Sequence, residues 1–342
     1  MTTAFRTPIA AALLLACGLS YAGSGTLDLD PGLALLTFGD LSASGGAIKG
    51  GVAVGGDAVI KSFSLDGGSG YGLVVGGGLG FDGGSIAGRT VVGEQLTSSY
   101  GGTFGASVTV GGTLDASAGL SVAKGATVTV FGSTVGVQPW YPAVSKGEGS
   151  FSTGLDFTAL ESRFDKLTMQ LDESANTGKA NLQWGTLSFD VKGQNIAIFD
   201  IDAADAGKNM QIDGLTSKTS VIINVHSDKV DFGNHGYSNF AAGQVLFNLP
   251  EATTVSFSGG ATASFLAPHA TFQADSGAIS GQVVVDSWIG SSRIDAVAFA
   301  GALPDTTGMP AVAVPVPEPQ TWTLMLSGLM VAGLVARRRR RI

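Results

Sequence analysis

The sequence predicts an all-β fold, a β-solenoid of the β-helix type, with one α-helix on its flank. A short run of β-branched residues that ends in Gly recurs along the first part of the chain, whereas only one segment has helical periodicity. Gly is abundant, at 52 of 342 residues, but it follows no three-residue period, which excludes collagen. A hydrophobic fraction of 44% excludes a disordered chain.

The recurring unit has the form Val-x-Val-Gly, and it predicts one strand in each coil of the solenoid. The glycines that end the copies are Gly55, Gly76, Gly93, Gly111 and, in a weaker copy over Leu120–Gly125, Gly125. Their spacings of 21, 17, 18 and 14 residues are too short for a propeller blade but suit one coil. Each coil is expected to stack on the previous one and to bury its Val, Leu and Ile side chains.

One apolar stripe interrupts the β pattern and predicts a helix along the flank of the solenoid. Its residues, spaced three or four apart, are Phe157, Leu160, Phe164, Leu167 and Leu171. Thr158 and Glu161 have the spacing of a capping box at the start of the helix. Arg163 and Lys166 are expected to face solvent.

Short β-branched runs return after the helix and predict further strands. They cover Leu187–Val191, Ile196–Ile201, Val221–Val225, Gln244–Asn248, Thr254–Ser258, Thr262–Leu266, Ala270–Gln273, Gln282–Asp286 and Ala296–Phe299. The solenoid domain is therefore expected to extend over residues 23–303.

Residues 1–22 have the pattern of a signal peptide. Arg6 precedes an apolar run over Ile9–Leu19, and small residues at Ser20 and Ala22 stand where signal peptidase reads the chain. Cleavage is expected between Ala22 and Gly23.

A lipobox is the alternative interpretation of this N-terminal segment. Leu14-Leu15-Ala16-Cys17 would then lead to lipidation of Cys17. Cys17 is the only cysteine of the chain, so its removal with a signal peptide would leave a mature domain without disulfide or thiol chemistry.

The C-terminal end has three consecutive parts that together predict a membrane anchor. A Pro-, Ala- and Val-rich linker over residues 304–315 leads to Pro317-Glu318-Pro319. The nearly uncharged run over residues 321–336 is expected to form a transmembrane helix, since sixteen residues reach roughly 24 Å. The block of five Arg that follows should remain cytoplasmic.

This arrangement, over residues 316–342, resembles the PEP-CTERM sorting signal of Gram-negative bacteria. The resemblance implies that an exosortase cuts near the Pro-Glu-Pro segment after a transient stay in the inner membrane. The protein would then reach the cell surface or the extracellular matrix, a setting associated with exopolysaccharide and biofilm. The expected processing and sorting residues are Ala22, Gly23, Pro317, Glu318, Pro319, Arg337, Arg338, Arg339, Arg340 and Arg341. A plain tail anchor is the alternative.

Processing at both ends would make the mature domain strongly acidic. The whole chain has a formal net charge of −8, and the expected cuts remove Arg6 and the five C-terminal Arg residues. The remaining domain would carry a net charge near −14. Such a domain should avoid nucleic acid and anionic membranes, so no nucleic-acid partner is expected.

Eight motifs spread along the body point to one further resemblance. They are Phe38–Leu41, Gly51–Asp57, Leu73–Gly77, Ser220–Val225, Val245–Pro250, Phe265–Ala270, Ile279–Val283 and Phe299–Gly301. Over residues 34–301 they resemble the "choice-of-anchor A" domain, and the last of them are similar to the closing coils of ice-binding-like β-helices. The resemblance implies an adhesive module of the bacterial surface and carries no catalytic residues.

Candidate metal ligands are few. The three His residues are His226, His235 and His269, and none has metal-ligand spacing. Asp200, Asp202 and Asp205 come near the pattern of a calcium loop but depart from its spacing and lack the closing Glu. Solvated turn carboxylates are the alternative interpretation, so no cofactor is expected unless these residues bind calcium.

The sequence therefore favours an exported, non-enzymatic surface or matrix protein that adheres to extracellular polysaccharide or to a ligand on other cells. Signal peptidase and exosortase would be its partners during export. The alternatives are a carbohydrate-active enzyme on the same scaffold and an ice-binding protein. Aromatic residues would provide a sugar platform or would fill the core or the coil corners. The candidates are Trp140, Tyr141, Trp184 and Trp288.

Overall fold

The computed structural model describes residues 27, 29–30, 32–67, 71–141 and 144–304. They form a solenoid of parallel strands with one long helix along its side, which confirms the predicted β-rich class. In the part of the chain before the helix the strands are β1 Leu33–Thr37, β2 Leu41–Ser44, β3 Ala47–Lys49, β4 Gly51–Val54, β5 Ala58–Asp66, β6 Tyr71–Val75, β7 Leu79–Ile86, β8 Arg89–Val92, β9 Leu96–Ser99, β10 Gly102–Phe104, β11 Val108–Val110, β12 Leu114–Ala118, β13 Val128–Val130, β14 Thr134–Val135 and β15 Val144–Lys146.

The long helix and a second series of strands follow. They are α1 Phe157–Asp172, β16 Asn181–Gln183, β17 Thr186–Asp190, β18 Ile196–Asp202, α2 Ala203–Ala206, β19 Asn209–Asp213, β20 Ser220–His226, β21 Lys229–Asp231, β22 Tyr237–Ser238, β23 Val245–Asn248, β24 Thr254–Ala261, β25 Ser264–Ser280, β26 Val283–Gly290 and β27 Arg293–Asp295.

Three faces run along the solenoid. Face 1 contains β1, β4, β6, β8, β11, β13, β15, β18, β20, β23 and the first parts of β25 and β26. Face 2 contains β2, β9, β12, β14, β21, the first parts of β5, β7 and β24, the middle of β25 and the end of β26. Face 3 contains β3, β10, β27 and the last parts of β5, β7, β24 and β25. A separate four-stranded sheet joins β16, β17, β19 and β22.

The Val-Gly repeat marks face 1, as the sequence predicts for its first four copies. In successive coils the paired positions are Val52, Leu73, Thr90, Val108, Val128 and Val144. The fifth copy is wrong, because Val128–Val130 occupies that coil. The segment Leu120–Gly125 instead turns the corner near face 3, where it makes a single bridge from Val122 to Phe104. It has the same local pattern, but only Val122 pairs with a neighbouring strand, β10.

The coils do not stack in the order of the sequence. β1 lies between β4 on one side and β26 on the other, so the first and last coils of the domain are neighbours. From β1 the chain winds outwards to β15, and α1 then packs across β20, β23 and β25. The chain resumes winding at β18 and returns coil by coil to β26. The solenoid therefore has two arms that meet in its middle.

Face 1 is buried on both sides of its strands from β18 through β26 and β1 to β8, whereas the outward residues Thr109, Thr129 and Ser145 of β11, β13 and β15 are partly or fully exposed. Inward residues such as Leu35 and Ile223 belong to the main core, whereas Leu36 and Ile222 point outwards against the helix. The helix contributes Leu160, Phe164, Leu167 and Leu171 to this second core, which confirms the predicted stripe. Strands covered on both sides need continuous apolar runs, and the run Val221–Ile223 is one of these.

The start of α1 differs from the capping-box prediction. Asp156 is the N-cap residue, and its carboxylate accepts a hydrogen bond of 3.0 Å from the Ala159 amide. Thr158 lies inside the first turn, so the Thr158–Glu161 prediction is wrong. Asp156 competes better for this place because its side chain reaches an otherwise unpaired amide of the helix end.

Arg163 also differs from its predicted exposure, whereas Lys166 is exposed as predicted. The Arg163 side chain is only 3% exposed, and its guanidinium donates a hydrogen bond of 2.9 Å to the carbonyl oxygen of Leu27. Leu27 is itself buried in the second core. The chain entering the domain thus covers a side chain that the helical pattern alone places in solvent.

Two buried asparagines fasten the helix to face 1. Asn224 and Asn248 are paired in register on neighbouring strands, and the Asn248 amide donates to the Asn224 side-chain oxygen at 3.0 Å. The same amide donates to the carbonyl oxygen of Thr168, and Asn224 donates to that of Leu171. Thr168 returns a hydrogen bond of 2.5 Å to Asn248. Because buried polar groups are costly when unpaired, this ladder sets where the helix lies along the strands.

The predicted strands after the helix are found, except for the last one, in β17, β18, β20, β23, β24, β25 and β26, whereas β16, β19, β21, β22 and β27 were not predicted. The two expected strands Thr262–Leu266 and Ala270–Gln273 belong to one strand, β25, which pairs with β23, β24, β26 and β27 as it passes along three faces. Ala296–Phe299 is not a strand, and β27 ends at Asp295. There the Phe299 amide donates instead to the Gln282 side chain at 3.1 Å.

Several predicted segments lie outside the described residues. They are the signal peptide, the residues 305–315 of the linker, and the sorting signal with the transmembrane helix over residues 321–336. Within the described ranges, no helix is both long and apolar enough to cross a membrane.

Close backbone contacts at the coil corners generate the first testable prediction. A Cβ atom at Gly93 would lie 1.9 Å from the carbonyl oxygen of Gly76 in the neighbouring coil. Gly93→Ala should therefore lower the free energy of unfolding by about 2–3 kcal/mol, the cost of an overpacked site. Gly80→Ala is the matched control, because the nearest atom to its new Cβ is 3.9 Å away. Chemical denaturation measures the free energy of unfolding of both variants. Equal losses of stability would contradict the close backbone contact at Gly93.

Candidate functional site

Faces 2 and 3 remain open where α1 and its neighbours cover face 1. Along face 2 one outward column can be followed through the strand register across both arms. Its members are Asp231, Ser256, Gln273, Ile289, Ser42, Val59, Gly80, Thr97, Asp115 and Val135. The column mixes charged, hydroxyl, amide and aliphatic groups, so it lacks the regular Thr array that a repetitive ice-binding face would need.

Face 3 has a polar surface with a small ion-pair group. The Lys49 ammonium lies 3.5 Å from the Asp295 carboxylate, and the Arg293 guanidinium lies 2.7 Å from the same carboxylate. Ser64 and Ser85 on neighbouring strands are joined by a hydrogen bond of 3.3 Å. Since both cations of this group share one anion, face 3 has no strongly charged patch here for an anionic ligand.

An aromatic cluster lies at the arm that ends with β14 and β15. We call Tyr100, Trp140 and Tyr141 the end patch. The hydroxyl groups of Tyr100 and Tyr141 are 2.7 Å apart, and the rings of Trp140 and Tyr141 meet edge to face with centroids 6.2 Å apart. Trp140 is 74% exposed and Tyr100 is 62% exposed. The end patch thus presents flat apolar ring surface beside hydroxyl groups.

Contacts with neighbouring coils hold the end patch in place. The Tyr141 hydroxyl also donates to the Ala116 carbonyl oxygen at 3.4 Å, and the Tyr100 ring covers Gly119, where a Cβ would lie 2.4 Å from it. The hydrogen bond with Tyr100 raises the pKa of Tyr141 above its ordinary value. Tyr141 is therefore a neutral phenol at physiological pH, and its one proton is used in the bond to Ala116. A rigid, neutral aromatic group of this kind is suited to stacking on an uncharged ring.

The four aromatic residues noted in the sequence do not form one platform. Only Trp140 and Tyr141 lie together. Trp288 is fully buried and stacks on Phe272 with centroids 5.3 Å apart, so for this residue the core-filling alternative is correct. Trp184 lies in the turn between β16 and β17. Sequence reasoning missed Tyr100, whose only signal is an aromatic residue before Gly101 at a coil corner.

The suggested calcium ligands are not brought together. The Asp200 carboxylate accepts hydrogen bonds from Asn176 and Asn224, whereas Asp205 pairs with Lys208. Asp202 is the residue before α2 and makes no side-chain cap. Within the described ranges, no group of three or more His, Cys, Asp or Glu side chains could hold a metal ion. The alternative of structural turn carboxylates fits these partners better.

Two of the three His residues lie beside carboxylates under or next to α1. His226 Nδ1 lies 3.5 Å from Asp172, and its Nε2 lies 3.6 Å from Asp200. His269 Nε2 lies 3.6 Å from Asp165. His235 lies in the loop before β22, next to Gly233. These contacts tie the helix to the strands and account for the His residues as structural groups.

The predicted processing residues lie outside the described part of the chain and stay predictions. A family model described as "Putative Ice-binding-like adhesive domain" matches residues 33–296. The chain belongs to this family. A second model, the PEP-CTERM protein-sorting motif, matches residues 315–341. No curated protein and no solved structure matches the chain.

Both resemblances stated from the sequence are thereby confirmed. An adhesive-like domain followed by a PEP-CTERM motif characterises an exported surface protein, with transient membrane anchoring and processing by an exosortase during export. The adhesive domain covers every coil of the solenoid from β1 to β27. The signal peptide, the lipidation of Cys17 and the transmembrane helix stay predictions.

The carboxylate at the end of α1 generates the second prediction. Partial burial is the main cause that raises the pKa of Asp172, and nearby His226 opposes it, while Asp200, Glu251 and Glu173 add to the rise. A carboxyl group whose pKa is higher in the folded than in the unfolded chain destabilises the folded state, and this effect grows as the pH rises above the unfolded pKa and is complete above the folded pKa. Asp172→Asn should therefore raise the melting temperature at pH 7 and change it less at pH 3.

Thermal unfolding followed by circular dichroism at the two pH values measures this effect. Glu161→Gln, an exposed carboxylate on the same helix, is the control and should shift the melting temperature little at either pH. A larger gain for Asp172→Asn at pH 3 than at pH 7 would contradict the assignment.

Proposed function

We propose that the protein is a non-enzymatic adhesin that associates with neutral exopolysaccharide at the cell surface or in a biofilm matrix. This proposal is supported mainly by the presence of an adhesive-family domain and a PEP-CTERM motif in the same chain. Net negative charge disfavours acidic glycans, nucleic acid and anionic membranes, and so it favours an uncharged ligand.

The end patch is the surface best suited to such a ligand. The C–H groups on one side of a pyranose ring form an apolar face that stacks on indole and phenol rings, and the hydroxyl groups around its rim need polar partners. Trp140 offers an exposed ring, and the Tyr100 and Tyr141 hydroxyls lie beside it. Asp115 and Ser117 in the neighbouring coil supply further polar groups. The patch is already ordered by its contacts, so binding immobilises few side chains.

A binding role, and no catalytic role, also fits the way the carboxylates are used. Asp200 is committed to two asparagine amides and Asp205 to Lys208. Asp156 caps α1, and Asp295 pairs with Lys49 and Arg293. Acid-base hydrolysis of glycosides needs two carboxylates directed at one bond, whereas these groups are directed at structural partners.

Binding of neutral glycans generates the third prediction. Trp140→Ala should weaken retention of the full chain on immobilised β-glucan, xylan or dextran by about tenfold, because one aromatic stacking contact is worth up to about 1.5 kcal/mol. Val135→Ala, an exposed aliphatic residue in the same terminal coil, is the control and should bind like wild type.

Two further assays on the same preparation separate the alternatives. Release of reducing ends from the bound polysaccharide would support the carbohydrate-active enzyme, and thermal hysteresis would support the ice-binding protein. The proposal expects neither. Absence of wild-type binding to all three polysaccharides would overturn the neutral-glycan adhesin.

Sorting generates the fourth prediction. Replacing Pro317, Glu318 and Pro319 by Ala should leave the chain uncut, because the exosortase would lose its recognition segment. Cell fractionation should then find the protein in the membrane at its uncut mass instead of at the surface. Pro310→Ala, in the linker before the matched motif, is the control and should be sorted normally. Unchanged surface display and mass of the triple variant would contradict processing at this segment.

A further inference from the structure

Trp184 occupies an unusual place for a large aromatic residue. Gln183 pairs with Thr186 across the β16–β17 hairpin, so Trp184 and Gly185 form a two-residue loop. Both have positive φ, at 53° and 78°. This is the pattern of a type I′ turn, whose first position normally holds Asn, Asp or Gly because other side chains are strained there.

Packing does not compensate for this strain. The Trp184 side chain is 94% exposed, so the indole gains almost nothing from contacts within its own chain. A strained, solvent-exposed aromatic residue on a regular hairpin points to a contact outside the molecule. The hairpin itself is anchored, since Leu187 is buried in the main core.

The surroundings of Trp184 fit a glycan. Leu182 and Leu187 are paired on one side of the hairpin, so Gln183 and Thr186 lie together on the other. An amide and a hydroxyl group thus flank the indole and can bond to sugar hydroxyls while the ring stacks on the sugar face. The only other large apolar group exposed on this hairpin is Leu182, at 49%. Trp184 and the half-exposed Leu182 together offer too little apolar surface for the buried core of a stable protein interface.

The strand order places Trp184 and the end patch at opposite ends of the solenoid. Trp184 precedes β17 and β18, the strands of one terminal coil, and Trp140 lies between β14 and β15 in the other. Twelve strands of face 1 separate the two ends, from β18 through β26 and β1 to β15. At about 4.8 Å between strands, the two sites lie roughly 50 Å apart.

The first and last residues of the domain lie near the middle of the solenoid and not at either tip. Leu27 at the start, and Phe299 and Leu303 at the finish, are buried together with α1 against the middle of face 1. Gln282, just before β26, donates to the carbonyl oxygens of Asp30 and Leu33 at 3.1 and 2.9 Å. A tether attached to the C-terminal side therefore leaves both tips free.

We propose that Trp184 with Gln183 and Thr186 forms a second neutral-glycan contact, and that the protein uses its two tips to bridge separate polysaccharide chains. This inference rests on the proposed function, since the bridge needs glycan binding by the end patch. The protein is then a crosslinker of the matrix, and each molecule joins two chains held about 50 Å apart.

Agglutination of polysaccharide-coated beads by the full chain tests the bridge. Separate bead sets carry β-glucan, xylan or dextran, and wild type should agglutinate at least one of them. Trp184→Asn is the key variant, because Asn suits the turn and should keep or raise the melting temperature. It should still bind the beads through the end patch but should lose agglutination, with the required protein concentration rising on the order of 10²-fold.

Two controls make the outcome specific. Leu182→Ala should agglutinate like wild type, and Trp184→Phe should restore part of the activity because it returns a ring. Agglutination by Trp184→Asn at the wild-type concentration overturns the bridge while leaving glycan binding intact. A dimeric wild type that Trp184→Asn converts to a monomer, measured by analytical ultracentrifugation, also overturns it in favour of a contact between two copies. Absence of wild-type binding to any bead instead overturns the proposed function.

Discussion

The parallel pairing of β1 with β26 is the interaction that joins the two arms of the solenoid. Leu35, Leu36 and Thr37 lie beside Val283, Val284 and Val285, although these segments are separated by nearly the whole domain. Each strand would otherwise present an unpaired edge in the middle of the molecule, with unsatisfied amides and exposed Val and Leu side chains. Pairing the two edges makes one continuous core and places the two terminal coils at opposite ends of one rod.

The helix determines which surfaces remain for binding. It covers the outer side of face 1, and the Asn224–Asn248 ladder fixes its place against the strands. The same region buries the residues that enter and leave the domain. The surfaces left open are faces 2 and 3 and the two tips, and the tips lie away from the place where the domain begins and ends.

Local patterns were sufficient where burial depends on neighbours in the sequence. The first four copies of the Val-Gly repeat, the helical stripe and most strands of face 1 were predictable, since each reflects one side facing a core, whereas most of the shorter strands of faces 2 and 3 were not. The fifth copy of the repeat failed because Leu120–Gly125 has the right pattern but pairs only at Val122. Arg163 failed because the chain around Leu27 covers it. In both cases the outcome depends on a contact with a segment distant in the sequence, which the local pattern cannot predict.

Composition and periodicity alone determined that this chain forms coils of β-structure with one helix, and its C-terminal motif determined how it is sorted. Short-range alternation and Gly at the corners are enough for these features, because both act within a single coil. Only the tertiary structure decided the order of the coils, the burial of Trp288 and the opposite positions of Trp140 and Trp184. Those features depend on which strand edges remain unpaired once the chain has turned back. Strand pairing uses backbone amide and carbonyl groups, which nearly every residue has, so the sequence does not specify which strands become neighbours.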